Sequence, residues 1–230
     1  MTYSGEVQPG GPSDVRELDE LTIRKASVGT MDNNAYLLTC RRSGDQVLVD
    51  AAADPQRVLA LVKEGSRTAH LDLVVTTHGH RDHYGALESI VAVTGAQVAA
   101  GARDAAALPA LVAKCLHQGD VLTLGHVTLE VIHLRGHTPG SVALAYREPQ
   151  HVTVPEARAG RVHLFTGDSL FPGGPGRTNS AEDFRTLMAD LEDRVFGPLG
   201  DDTWVYPGHG ADTTLGAERE ALPSWWARGW

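Results

Sequence analysis

The segment Thr77-His78-Gly79-His80-Arg81-Asp82-His83 sets three imidazoles and a carboxylate within six residues. Imidazole nitrogen and carboxylate oxygen suit zinc, iron or manganese. The segment directly follows the apolar run Leu71-Asp72-Leu73-Val74-Val75-Thr76. It therefore reads as a turn at the end of a strand, from which several side chains can aim at one point. A single tetrahedral ion rarely takes four ligands from one short turn. The crowding points either to two metal ions or to one ion with an activated water beside it.

Three later segments carry further ligand types among glycines: Arg135-Gly136-His137-Thr138-Pro139-Gly140, Thr166-Gly167-Asp168-Ser169 and Tyr206-Pro207-Gly208-His209-Gly210. Each follows a predicted strand, and glycine lets the backbone turn sharply and approach closely there. Taken singly, His137 or His209 would read as a structural or surface histidine. Joined to the first turn they read as ligands, which gives the set His78, His80, Asp82, His83, His137, Asp168 and His209. Without a metal, four buried polar groups in residues 78–83 would be costly. The other histidines, at 70, 117, 126, 133, 151 and 163, have no motif around them and read as ordinary side chains.

The elements that must position these residues follow from periodicity and turn signals. Residues 1 to about 17 are rich in Gly, Pro, Ser and acid, and read as a flexible N-terminal arm. One domain over 18–230 is expected from the length. Leu21–Arg24, Ala35–Thr39 and Gln46–Asp50 read as an antiparallel meander. Asn33-Asn34 reads as a turn cap. Asp54-Pro55 opens a helix through Val62, with Asp54 as its cap. The strand ending in the histidine turn comes next, then a helix over Gly85–Val93, a strand over Gln97–Ala100 and an alanine-rich helix over Ala102–Cys115. Val121–Leu124 and Val127–Ile132 form a hairpin across Gly125-His126. Strands over Ser141–Tyr146, Val162–Thr166 and Thr203–Tyr206, with a helix over Ala181–Val195, complete a layered α/β pattern.

Composition narrows the class. The 230 residues are 42% hydrophobic and 21% charged, as in a globular protein. The net charge of −9 argues against a nucleic-acid surface, which needs clustered Lys and Arg. Part of that negative charge faces bound cations in this reading. No apolar run of membrane-spanning length and no signal-peptide pattern occurs, so the cytoplasm is the expected location, with no membrane partner. The two cysteines, Cys40 and Cys115, read as buried or half-buried thiols in a reducing compartment.

With these residues in place, the chain resembles the metallo-β-lactamase superfamily, whose His-x-His-x-Asp-His signature is matched by residues 78–83. The resemblance covers about residues 20–212 and is strongest to the glyoxalase II-like, single-domain hydroxyacylglutathione hydrolase-like branch. It implies a four-layer αββα sandwich with its metals at one edge of two facing sheets. It also implies two divalent ions, zinc first and iron or manganese as alternatives. One ion would be held by His78, His80 and His137, and the other by Asp82, His83 and His209, with Asp168 bridging them. Physically, such a pair lowers the pKa of a water between the ions and polarises the carbonyl under attack. Asp82 could additionally take or orient the proton of the nucleophile, as a catalytic group.

The loop Phe171-Pro172-Gly173-Gly174-Pro175-Gly176-Arg177-Thr178 is expected to shape the substrate pocket. Its Gly-Arg-Thr resembles the single-domain hydrolases and the persulfide dioxygenases, although Asn179 stands where those commonly have Asp. Arg177 binds a substrate carboxylate or pairs with a nearby acid. Tyr206 donates to an oxyanion or closes the core, and Phe171 lines the pocket. The leading expectation is hydrolysis of a small-molecule thioester, such as a hydroxyacyl-thiol. Only 21 residues follow His209, too few for the glutathione-gripping helical region of larger relatives, so a different or loosely held thiol carrier is expected. The alternatives are a persulfide dioxygenase with one iron on His78, His137 and Asp168, a lactonase, and a catalytically silent binding protein. The oligomeric state is left open by the sequence.

Overall fold

The computed structural model describes residues 2–229. The meander of the first third forms as its alternation predicts. Strands β1 (Asp14–Glu17), β2 (Leu21–Val28), β3 (Asn33–Cys40) and β4 (Gln46–Val49) pair antiparallel in sequence order. Helix α1 (Pro55–Gly65) starts where proline fits the first turn, and the Asp54 carboxylate accepts from Arg57 N at 3.1 Å. That crossover returns the chain parallel to β4 as β5 (Leu73–Thr76). Helix α2 (Leu87–Thr94) does the same for β6 (Gln97–Gly101), and β7 (Lys114–Leu116) closes the sheet of seven strands.

The second half makes a six-stranded sheet. Strands β8 (Val121–Leu124) and β9 (Val127–His133) form the expected hairpin, with Gly125 at φ 58° in its turn. Strands β10 (Val142–Arg147) and β11 (Val162–Gly167) continue it antiparallel. A two-residue ribbon, β12 (Leu170–Phe171) with β13 (Gly174–Pro175), leads to helix α3 (Ala181–Leu191), which runs on as a π turn over Glu192–Phe196. Strand β14 (Trp204–Pro207) returns parallel to β11, and β15 (Thr213–Thr214), α4 (Leu215–Arg219) and α5 (Leu222–Arg228) follow.

Three apolar layers hold these elements. Tyr36, Leu38, Val75, Val131, Leu144 and Phe165 pack between the two sheets. Val58, Leu61 and Ile90 of α1 and α2 cover the outer face of the first sheet against Leu48, Val74 and Val98. Phe184, Leu187 and Trp225 of α3 and α5 cover the second against Leu164 and Val205. The arrangement is the four-layer αββα sandwich.

Several expectations are corrected. The alanine-rich stretch is not a helix: only Ala105–Ala107 makes a 3-10 turn, and residues 114–116 are strand β7. Pro109 disfavours helix at Leu108, and the Asp104 carboxylate is committed to the backbone of other loops. The N-terminal arm is not free, since β1 lies within residues 1–17 and Tyr3 is buried, its hydroxyl donating to Asp212 Oδ2 at 2.8 Å. Cys40 is buried as expected, whereas Cys115 is exposed on the edge strand β7. No helix among the described residues is long and apolar enough to cross a membrane.

Candidate metal centre

All seven expected ligand residues meet at one edge of the sandwich, contributed by both sheets. His78, His80, Asp82 and His83 follow β5, with residues 81–83 wound into a 3-10 turn. His137 lies between β9 and β10, and Asp168 and His209 lie just past the ends of β11 and β14. A register shift between Phe165 and Gly167 ends the β11–β14 ladder and re-aims the chain at Asp168. Backbone hydrogen bonds join the sheets on either side of the cluster, Val142 N to Thr77 O at 2.9 Å and Asn34 N to Gly208 O at 2.7 Å. Gly208 is needed for this closeness, because a Cβ there would overlap Asp168 Oδ1 and the His83 ring.

The donor atoms form two groups. His80 Nδ1 lies 3.0 Å from His137 Nε2, which is 3.2 Å from His78 Nε2. In the second group His83 Nε2 is 3.2 Å from His209 Nε2, and Asp82 Oδ2 is 3.6 and 3.3 Å from those two nitrogens. Asp168 stands between the groups. Its Oδ2 is 3.6 Å from His137 Nε2 and 3.5 Å from His209 Nε2, and its Oδ1 is 3.3 Å from His83 Nε2.

Outer partners fix which ring nitrogen faces inward. His83 Nδ1 donates to Asp50 Oδ2 at 2.8 Å, His137 Nδ1 to the Arg177 carbonyl at 2.7 Å and His209 Nδ1 to the Met31 carbonyl at 2.9 Å. His78 Nδ1 donates to Thr77 Oγ1 at 3.0 Å, and that hydroxyl donates to Asp50 Oδ2 at 2.8 Å. Each of these four imidazoles therefore turns an Nε2 lone pair toward the cluster.

Electrostatics agree with a cation site. Burial, reinforced by the neighbouring His83, His137 and His80 and only partly opposed by Asp168, holds His78 well below the ordinary imidazole value, and burial also lowers His137. Burial pushes the Asp168 carboxyl up, but contacts with His209 and His83 outweigh it and hold the group well below the usual carboxylate range. His83 behaves oppositely. Burial would lower it, yet Asp50 and Asp168 push it up to about 10 in the protein without a cation.

The residues fit a metal pair. Lone pairs of neutral imidazoles facing each other at 3.0–3.2 Å repel unless a cation or a proton lies between them. Asp168 Oδ1 is in addition a buried oxygen without a hydrogen-bond partner. Both groups of three, His78/His80/His137 and Asp82/His83/His209, bring one donor atom each within 4.8 Å of one another, as do His78, His83 and Asp168.

The other expected site residues divide. Phe171 borders the centre, its ring 6.4 Å from that of His209. Arg177 is exposed and touches the centre through its carbonyl. Tyr206 does not reach it, which corrects the oxyanion expectation. The side chain is fully buried, and its hydroxyl accepts from Arg16 Nη1 at 2.8 Å and donates to His163 Nδ1 at 2.8 Å. Asn33 and Asn34 do more than cap a turn. Asn33 Nδ2 donates to Asp82 Oδ2 at 3.0 Å, and Asn34 Nδ2 donates to the carbonyls of Pro207 at 2.9 Å and Gly210 at 3.0 Å. The sequence reading missed Asp50 and Asp104. Their signals are an acid ending the apolar run Val47-Leu48-Val49 and a lone acid inside an alanine-rich stretch.

Comparison with known proteins agrees with the fold. A sequence profile of the metallo-beta-lactamase superfamily matches residues 28–222, and the chain belongs to that superfamily. A probable hydroxyacylglutathione hydrolase of Schizosaccharomyces pombe is 33% identical over 79% of the chain, which spans 65% of that relative's length. The hydroxyacylglutathione hydrolase GloC of Haemophilus influenzae is 27% identical over 76% of the chain and 85% of its own length. Among solved structures, the B3 metallo-beta-lactamase BLEG-1 superposes with a TM-score of 0.71 at 27% identity, covering 88% of this chain and 98% of its own. TTHA1623, crystallised in a di-iron-bound form, gives a TM-score of 0.64 at 28% identity, with 86% and 98% covered.

Proposed function

We propose that this protein is a metal-dependent hydrolase of small thioesters of the hydroxyacyl-thiol type. The carrying observation is that both three-donor groups are complete and share Asp168 between them. The relatives described as hydroxyacylglutathione hydrolases support the substrate class. Bound by these residues, two divalent cations, zinc by first preference, would supply a water of lowered pKa and a Lewis acid for the thioester carbonyl.

The chain's own residues do the rest. Asp82 is the catalytic carboxylate in this reading. Burial raises it, but the Asn33 hydrogen bond and the neighbouring His83 outweigh that and hold it ionised, ready to accept or orient a proton. Its side chain is 28% exposed, so it faces incoming substrate. Phe171 offers an apolar wall beside His209, and in this reading the exposed Arg177 guanidinium would meet a substrate carboxylate.

A second reading, a mononuclear iron persulfide dioxygenase, draws on His78, His137 and Asp168, which lie together in the same cluster. The complete Asp82/His83/His209 group favours the hydrolase. Metal analysis of protein purified without added metal, paired with thioester and glutathione-persulfide assays, separates the two. Two ions with thiol release support the proposal. One iron with rapid oxygen uptake overturns it.

A further inference from the structure

Two buried charged side chains outside the ligand set each reach the turns of one half of the centre. Asp104, 5% exposed, accepts from Gly79 N at 2.8 Å and Gly140 N at 2.7 Å, and from the Thr138 hydroxyl. Gly79 lies between His78 and His80, and Thr138 follows His137. One carboxylate therefore binds both turns that carry the His78/His80/His137 group, although one turn belongs to each sheet. It makes no ion pair among the described residues, so its charge is stabilised by these donors.

Lys25 serves the other half. Its ammonium is fully buried and donates to Gly210 O at 2.7 Å, Gly5 O at 2.8 Å and Asp212 Oδ1 at 2.7 Å. All three ammonium hydrogens are used. Gly210 is the residue after His209, and its carbonyl accepts from Asn34 as well. Lys25 therefore fastens the His209 loop to β2 and to the N-terminal segment, and touches nothing in the first group.

We propose that Asp104 and Lys25 are positioning residues that set the cation affinity of the two halves of the centre separately, Asp104 for His78/His80/His137 and Lys25 for Asp82/His83/His209. The inference rests on the metal-centre reading and adds that the halves are tuned independently. An outer partner that orients ligands acts through geometry, and its loss typically weakens binding by about ten-fold or more.

Cobalt(II) titration of metal-free protein, followed calorimetrically, tests this. H209Q isolates the first group and H80Q the second. Adding D104N is expected to weaken cobalt binding about ten-fold in the H209Q protein while leaving the H80Q protein within about two-fold. Adding K25M is expected to do the reverse, and K25R to recover part of the loss. Circular dichroism and melting curves identify folded variants. Should D104N or K25M not fold, T138V replaces the first, and the double variant K25M/D212L, which exchanges the buried ion pair for apolar side chains, replaces the second. Losses of equal size in both backgrounds, or none in either, overturn the separate tethers while leaving the centre standing. Failure of the wild-type protein to bind cobalt overturns both.

Discussion

The Asp50 carboxylate, 2% exposed, lies 2.8 Å from His83 Nδ1. It also takes the Thr77 amide and hydroxyl, and through that hydroxyl it orients His78. One carboxylate thus reaches an imidazole of each donor group. Its own backbone sits at φ 60°, a left-handed conformation that Asp tolerates better than most residues.

Replacing Asp50 by alanine is expected to lower metal content in both halves, with affinity falling about 10- to 100-fold. Elemental analysis and chelator competition on the purified variant measure this. Retention of two tightly bound ions would refute the orienting role.

Removal of metal is expected to abolish thiol release and to lower the melting temperature. At free metal about 1,000 times the dissociation constant, binding adds about 4 kcal/mol to stability. Activity assays and melting curves before chelation, after it, and after adding zinc back provide the check. Full activity in metal-free protein would contradict the assignment.

Tyr206→Phe is expected to leave turnover of any thioester substrate unchanged, because the ring belongs to the core. It removes the partner of Arg16 Nη1 and His163 Nδ1, so stability should fall by about 1–2 kcal/mol. Denaturant unfolding beside steady-state kinetics separates this from an oxyanion role, which predicts lost kcat at unchanged stability.

His163 gives the fold a predictable acid sensitivity. Burial outweighs the hydrogen bond to Glu148 and lowers this histidine from 6.5 to about 4. The folded value lies below the unfolded one, so the unfolded chain takes up the proton more readily. The contribution is fully present above pH 6.5 and is lost as the pH falls from 6.5 toward 4. The gap corresponds to about 3 kcal/mol. Urea unfolding at steps from pH 7 to 4 should show this loss, and His163→Gln should remove most of it. An equal slope in that variant would assign the loss to other groups.

Arg177→Gln keeps the carbonyl that His137 uses and removes the guanidinium. A several-fold higher KM for carboxylate-bearing thioesters is expected, with metal content unchanged. An unchanged KM would leave the backbone of Arg177 as its contribution.

The cluster of candidate ligands was legible in the sequence because four sit within six residues and the others lie among glycines after apolar runs. Legibility ends where a contact depends on the tertiary path. Asn33 reads as a turn cap, yet it meets Asp82, 49 residues further on. Asn34 bonds the Pro207 carbonyl, 173 residues away. Nothing local to Asp104 announces that Gly79 and Gly140 will converge on it, and helix propensity over 102–115 yields to those bonds and to Pro109. The N-terminal segment misled for the same reason: its composition suits a free arm, but Tyr3 and Gly5 find buried partners on Asp212 and Lys25. Tyr206 stands beside a ligand turn, and the pleat of β14 points it into the core.

The candidate ligands come from both sheets, so a bound cation would also be a cross-link. His78 and His137 are 59 residues apart, and His83 and His209 are 126 apart. Joining them closes loops in the chain as a disulfide does, in a protein whose two cysteines are both free. Unlike a disulfide, this staple depends on the supply of metal and not on redox state. Loss of bound ions would therefore loosen the seam between the sheets, and chelation should increase amide exchange at Val142 and Asn34, whose N–H groups cross it, before it does so in the middle of either sheet.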